Sequence, residues 1–151
     1  MRALIQRVSH ASVTVDNVEV GKIKLGLLVF LGISSDDSYS DIDYLVHKLK
    51  NLRIFNDASE RMNLSISEVN GSFLVISQFT LFASTKKGNR PSFVRAGEPE
   101  KAAQLFNDFV SMLESSSNLQ VETGRFGEDM QVDLSNSGPV TIILDSKLKE
   151  Y

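Results

Sequence analysis

The chain has 151 residues, a length that fits one domain and buries roughly 68–70% of the surface its unfolded form exposes, so a core needs no covalent staples. At 42% hydrophobic and 23% charged it has the composition of an ordinary folded protein, and the absence of Cys excludes disulfides, a thiolate nucleophile and a cysteine-held metal, pointing to the reducing cytoplasm. A net charge of −3 excludes bulk electrostatic capture of nucleic acid and leaves only a local basic cluster for such a partner.

In chain order, the N-terminus runs into a mixture of apolar and polar residues without the apolar core of a signal peptide. Residues 3–8 and 12–16 read as two strands, the second with alternating Val13 and Val15, followed by a turn at Asp16-Asn17 and a strand over 18–23. His10 falls in the turn between the first two. Residues 26–33 are continuously apolar, as expected of a central strand covered on both faces, and far shorter than the ~20 residues needed to cross a bilayer.

Ser40 followed by Asp43 resembles a capping box, and Ile42, Leu45, Val46, Leu49 and Leu52 recur at helical spacing, which predicts a helix over about 41–51. A buried-type strand over 73–76 delivers Ser77-Gln78-Phe79-Thr80 at its carboxyl end. The cluster Lys86, Lys87 and Arg90, with Arg95 behind it, reads either as a solvated loop or as a local seat for phosphates. A second helix starts near Pro99 and carries Ala102, Leu105, Phe106, Phe109, Val110 and Leu113 on one face.

Ser115 to Asn118 read as a mobile turn, and strands follow over 119–122, 130–134 and 140–144. Four strands, helix, strand, helix and three strands predict a single α/β domain over 1–151. Its expected architecture is three-layer α/β/β: a partly closed, mainly antiparallel sheet covered by two helices.

The commoner chemistries lack their signatures. His10 and His47 stand in different elements with no metal-pair spacing, and no Gly-x-Ser-x-Gly elbow, phosphate-binding loop or dinucleotide fingerprint occurs. No metal and no cofactor is expected. The acidic pairs Asp36-Asp37 and Glu128-Asp129 read as solvated turns.

Two motifs remain. Ser77-Gln78-Phe79-Thr80 places hydroxyls, an amide and backbone N–H groups at a strand end, where α/β proteins bind ligands and where such donors can hold an oxyanion; the alternative is the polar and apolar alternation of a half-buried strand. Ser137-Gly138-Pro139-Val140-Thr141 sits between two predicted strands. Proline removes a donor and glycine removes bulk, so the segment can present bare carbonyls to a ligand; the alternative is a connecting turn.

Taken together, the pieces closely resemble the D-aminoacyl-tRNA deacylase family. The likeness runs through Met1-Arg2-Ala3 with Gln6-Arg7-Val8, Ala11-Ser12-Val13-Thr14-Val15, Leu52-Arg53-Ile54-Phe55, Met62-Asn63-Leu64-Ser65, Ser77-Gln78-Phe79-Thr80-Leu81, Lys87-Gly88-Asn89-Arg90-Pro91-Ser92-Phe93, Thr123-Gly124-Arg125-Phe126-Gly127 and Asn136-Ser137-Gly138-Pro139-Val140-Thr141. It implies a homodimer that hydrolyses the ester joining a D-amino acid to the 3′ end of tRNA, and glycine mischarged on tRNA(Ala) as well, with no membrane and no DNA involved.

The resemblance further implies that Gly138 and Pro139 form a cis peptide reaching into the partner's pocket, where their carbonyls hold the α-amino group and leave an L side chain no space. Ser77, Gln78, Phe79 and Thr80 would line the opposing wall, and Phe126 and Met130 would lie near the adenosine. Arg7 would brace the Gly-Pro loop, and Lys86, Lys87, Arg90 or Arg95 would meet RNA phosphates. With no base beside it in sequence, Thr80 reads as a positioning group, and attack by water or by the neighbouring ribose hydroxyl is expected.

Two departures stand out: Ser137 replaces the usual Asp, and Glu128 replaces the usual Ala. Two readings compete with the enzyme. One is a nonenzymatic binder of tRNA or single-stranded nucleic acid; the other is a structural homodimer sealed by the Gly-Pro loop.

Overall fold

Alternating apolar residues carry the first fifteen positions into a single strand, β1 (Arg2–Val15), where the sequence predicts two; the computed structural model that describes the chain covers residues 1–150. Ser9 and His10 are exposed strand residues, with His10 opposite Ser135, and no turn separates the two halves. Between the pairs Val8↔Asn136 and His10↔Ser135, β1 advances two residues and its partner one. That bulge turns the strand over: Ala3 and Ile5 face one core, whereas Val8, Ala11 and Val13 face another.

The turn after β1 has positive φ at both Asp16 and Asn17, the geometry of a tight two-residue hairpin, and leads into β2 (Val18–Ile23) and β3 (Gly26–Gly32). β3 pairs with the first half of β1 through Arg2↔Gly32 to Val8↔Gly26, and β2 with its second half. Helix α1 (Tyr39–Asn51) starts two residues earlier than expected because the capping box is Ser38 with Asp41, not Ser40 with Asp43. A small hairpin, β4 (Phe55–Asn56) with β5 (Met62–Leu64), went unread in the sequence.

β6 (Ser72–Ser77) joins β3 in parallel, placing Ser77 beside Leu31, and a single 3-10 turn follows over Phe79–Phe82. Helix α2 (Pro99–Ser117) absorbs the serines expected in a turn and ends at Asn118, whose φ of 55° caps it in the left-handed region. β7 (Val121–Thr123) lies parallel to β6. The last two predicted strands are one, β8 (Gln131–Asp145), antiparallel to nearly all of β1.

The sheet runs β2-β1-β3-β6-β7 with β8 on β1, mostly antiparallel and nearly closed, and both helices cover one face, giving the three-layer α/β/β arrangement. Closure is visible at Gly21 of β2, where a Cβ would stand 2.8 Å from the Thr123 carbonyl oxygen of β7. The helix-side core joins Ile5, Val29 and Val75 to Leu45, Leu49, Phe109 and Leu113, and the inner core joins Val13, Leu28, Leu74 and Ile76. Full burial of each such side chain stabilises by about 1.5–3 kcal/mol. Among the described residues, no helix is long and apolar enough to cross a membrane.

Carboxylates lock the end of β8. Asp145 accepts from Arg2 Nε at 2.6 Å and from the Lys147 and Leu148 N–H groups, and Arg2 Nη1 in turn donates to the Leu81 carbonyl at 3.0 Å, tying the 3-10 turn to the sheet. Burial, which alone would raise the Asp145 pKa, is outweighed by these donors, so it lies below the usual carboxylate value. Asp41 behaves likewise: burial is outweighed by Ser146, Lys147 and Ser38. For groups with lowered folded pKa values, the stabilisation is present above the unfolded pKa of about 4 and is lost as pH falls through the folded values.

Asp145→Asn is therefore expected to lower stability at pH 7 by about 3 kcal/mol and to flatten the acid limb of the stability profile. Urea unfolding at pH 7 and pH 3 measures both. A variant that loses as much at pH 3 as at pH 7 would contradict the charge-based account.

Candidate active site

The carboxyl ends of β3 and β6 lie side by side because the two strands are parallel, and a cavity of about 520 Å³ opens there. One wall is Ser77, Gln78 and Phe79. The facing wall is Phe126 to Met130, in the segment between β7 and β8, and the floor is Leu31, Ile33 and Ile76. Of the residues singled out in the sequence, the structure thus gathers Ser77, Gln78, Phe79, Phe126 and Met130 around one space. The Phe126 ring leans on Phe106 of α2 with centroids 5.8 Å apart, which fixes that wall to the helix layer.

Thr80 is exposed and does not line the cavity; its hydroxyl is engaged by Gln78 Nε2. The strand ends as the Gln78 N–H donates to the Leu31 carbonyl at 2.8 Å, and the 3-10 turn starts with the Leu81 N–H donating to the Gln78 carbonyl. The N–H groups of Phe79 and Thr80 precede the first bond of that turn and find no intrahelical acceptor. That of Phe79 is a neutral donor in the wall of a mostly apolar cavity, the arrangement suited to charge that develops on a carbonyl oxygen, and that of Thr80 follows it in the chain.

The sequence did not single out the rest of the lining: Leu31 and Ile33, Ala96 and Gly97 from the loop before α2, and Pro99 and Ala102 at the start of α2. The available signal was that 26–33 and 73–76 are both buried-type runs, hence parallel neighbours with their carboxyl ends on one edge. Glu128 and Asp129 both line the cavity, so the departure at 128 sets a carboxylate at its mouth.

Gly138 and Pro139 lie elsewhere. Between Gln6↔Thr141 and Val8↔Asn136, β1 advances two residues and β8 five, so Ser137 to Val140 form a large bulge inside β8, not a turn between two strands. The Gly138–Pro139 peptide is cis, and both residues are exposed. The Val140 N–H donates to Asn136 Oδ1 at 2.8 Å, and Asn136 Nδ2 to the Thr141 hydroxyl at 2.9 Å, closing the base of the bulge.

Arg7, buried beneath it, donates from Nε to the Ser137 carbonyl at 3.0 Å and from Nη1 to the Ile54 carbonyl at 2.6 Å and Asn56 Oδ1 at 3.1 Å. Since Arg7 pairs with Leu27 at the start of β3 and Ser77 with Leu31 near its end, the bulge and the cavity occupy opposite ends of the strands within one chain.

Lys86, Lys87 and Arg90 are exposed on the segment between the 3-10 turn and α2, which is tied by bridges Ser84↔Ser92 and Ser34↔Ala96. Arg95 is also exposed there, its guanidinium 5.7 Å from the centroid of Phe82. This basic segment leads into Ala96 and Gly97 of the cavity wall.

Comparison with known proteins places these features in a family. The model described as D-Tyr-tRNA(Tyr) deacylase matches residues 4–145. The chain is 55% identical over 150 residues to the D-aminoacyl-tRNA deacylase of Flavobacterium psychrophilum, covering 99% of this chain and 100% of that protein. It is 54% identical over 147 residues to that of Bacillus licheniformis, covering 97% and 99%.

Among solved structures, the c-Myc DNA Unwinding Element Binding Protein superposes with a TM-score of 0.89 at 39% identity, over 96% of this chain and 98% of that one. A probable eukaryotic D-amino acid tRNA deacylase superposes with a TM-score of 0.81 over 95% and 97%, at 18% identity, a likeness of fold alone.

Proposed function

The chain belongs to the D-Tyr-tRNA(Tyr) deacylase family, and from that premise we propose that it hydrolyses the ester of D-aminoacyl-tRNA in the cavity at the carboxyl ends of β3 and β6. The observation that carries this reading is the pairing of a mostly apolar cavity with the unengaged N–H of Phe79, a residue of its wall, followed in the chain by that of Thr80. Donors fixed by the backbone need no reorganisation as the ester carbonyl becomes an oxyanion, and each contributes about 3–4 kcal/mol to such a step.

No base stands ready to activate Thr80, whose hydroxyl is bonded to Gln78. Water, oriented by the vicinal ribose hydroxyl, attacks the carbonyl carbon, the oxyanion collapses, and the C–O bond to the terminal ribose breaks, with the proton lost by the water passing to the departing ribose oxygen. Free tRNA and the D-amino acid leave.

Selection falls to Gly138 and Pro139. In one chain their bulge is remote from the cavity, so the reading requires a homodimer in which each bulge enters the partner's cavity. There the carbonyls of the pair accept from the substrate α-ammonium, and the backbone occupies the volume an L side chain needs. A wall of main chain rejects by shape, with no side chain to recognise D residues, and glycine passes it, which extends the activity to glycine on tRNA(Ala). Phe126 and Met130 flank the terminal adenosine, and Lys86, Lys87, Arg90 and Arg95 meet the acceptor-end phosphates, a local basic seat on an acidic protein working in the cytoplasm.

Parallel deacylation of D-tyrosyl-tRNA and L-tyrosyl-tRNA tests the proposal. Rapid release from the first and at least a hundredfold slower release from the second are expected; equal rates, or cleavage of neither, sink it. Thr80→Ala is expected to keep more than a tenth of the rate, and trapping of an acyl-enzyme on quenching would reassign Thr80 as a nucleophile. A nonenzymatic single-stranded nucleic-acid binder predicts salt-dependent affinity without ester cleavage, and the same assay separates it.

A further inference from the structure

The cavity mouth carries an aromatic pair, Phe79 and Phe93, whose rings have no part in the reaction as described, which draws only on the Phe79 backbone N–H. The Phe79 ring is 57% exposed and meets Phe93 edge-on, with centroids 4.9 Å apart and planes at 70°. Phe93 remains 36% exposed, and its neighbour Val94 is 88% exposed. Phe93 does not line the cavity; it lies just outside, on the segment that supplies Ala96 and Gly97 to the wall. That segment is held in place by the Ser84–Ser92 N–H to carbonyl pair, at 2.8 and 2.9 Å, and by the Gly97 N–H donating to the Ile33 carbonyl at 2.9 Å. Lys86, Lys87 and Arg90 are on the same segment and exposed.

Exposed π faces beside cations are what a single-stranded nucleotide requires: a surface on which a base stacks whatever its identity, and positive charge for the phosphates on either side of it. The cavity, at about 520 Å³, is of the size that takes one small-molecule ligand, here the terminal nucleoside with its aminoacyl group. The nucleotide before it must then lie outside, against the mouth. A second copy of the chain is a weaker occupant on charge grounds, because residues 134–144, around the Gly-Pro bulge, carry no acidic side chain to meet the three cations.

We infer that Phe93, with Val94, seats the base of the nucleotide immediately preceding the terminal nucleoside, while Lys86, Lys87 and Arg90 meet its phosphates. This subsite rests on the deacylase reading and gives that reading a reach of two nucleotides.

The test compares D-tyrosyl esters of adenosine and of a dinucleotide ending in adenosine. For the unmodified protein, KM for the dinucleotide is expected to be about tenfold below that for the mononucleoside, the scale of one base–aromatic stack. Phe93→Leu keeps apolar contact with Phe79 but removes the π face, and is expected to raise the dinucleotide KM about tenfold with little change in kcat. Phe93→Trp should restore it.

Equal KM values for the two esters in the unmodified protein overturn the subsite while leaving the deacylase reading intact. A proportional rise for both esters in Phe93→Leu also overturns it, and if the oligomeric mass falls in parallel, Phe93 belongs to an interface between copies. Cleavage of neither ester defeats the deacylase reading itself, and the subsite with it.

Discussion

Gly138→Ala is expected to lower kcat/KM on D-tyrosyl-tRNA at least a hundredfold and to erode the preference for D over L substrates. The φ of Gly138 is 129°, a region that side-chain-bearing residues rarely adopt, and a Cβ there would stand 2.8 Å from Arg7 Nη2 and 2.8 Å from Val140 Cγ2. Neither neighbour can yield freely, since Arg7 is held by three acceptors and the Val140 N–H is bonded to Asn136.

Relief must therefore come from the backbone of the bulge, the part proposed to select the substrate. A displacement of about 1 Å at a positioning group is enough to cost about a hundredfold in rate. The fold itself should lose only about 1–3 kcal/mol, the scale of one strained residue. Initial rates on both tRNA esters, with urea unfolding alongside, separate the two effects. Unchanged rates and an unchanged D-to-L ratio would show that the carbonyls of this loop do not select.

Arg7→Met should have the larger effect on stability, about 3 kcal/mol, together with loss of chiral discrimination. Arg7 is buried, yet among the described residues no carboxylate forms an ion pair with it; its charge is met by the Ser137 and Ile54 carbonyls and by Asn56 Oδ1. It joins β1, the stretch around β4 and the β8 bulge through one planar fork. Methionine fills much of the volume but leaves three acceptors without their donor, and unmatched buried polar groups cost about 1–3 kcal/mol each.

Arg7→Lys retains the charge but cannot span three acceptors set out for a guanidinium, so it should recover part of the stability and little of the discrimination. Urea denaturation and the paired tRNA assay read both variants. A loss within about 0.5 kcal/mol for Arg7→Met, the range of ordinary surface substitutions, would remove Arg7 from the support of the loop.

The errors in the sequence reading have physical causes that can be traced residue by residue. Ser9 and His10 resemble a turn because a bulge exposes both and reverses the apolar alternation, although the ladder to β8 continues. Ser137 to Val140 resemble a turn for the same reason on the partner strand, where three surplus residues are looped out of an unbroken pairing. Ser115 to Ser117 are weak helix formers that packing of α2 through Phe109 and Leu113 keeps helical up to the cap at Asn118. The capping box slips from Ser40 to Ser38 because two serines near two aspartates satisfy the local pattern almost equally, and the contacts of Asp41 with Ser146 and Lys147 choose between them.

What the sequence by itself determined was local or cumulative: one cysteine-free domain, buried runs at 26–33 and 73–76, two one-sided helices, the polar strand end at Ser77 to Thr80, and a run of motifs in one order that marked the family. What only the tertiary structure decided was which residues share a space. Parallel pairing of β3 with β6 brings Leu31 and Ile33 beside Ser77, and the chain returns Ala96, Phe126 and Met130 to the same edge. Antiparallel pairing of β8 with β1 carries Gly138 to the far end of the strands, and the 3-10 turn after β6 leaves Thr80 off the cavity wall. The physical reason is that periodicity reports which face of an element is buried, whereas strand order, register and bulges are fixed by contacts between residues distant in the chain.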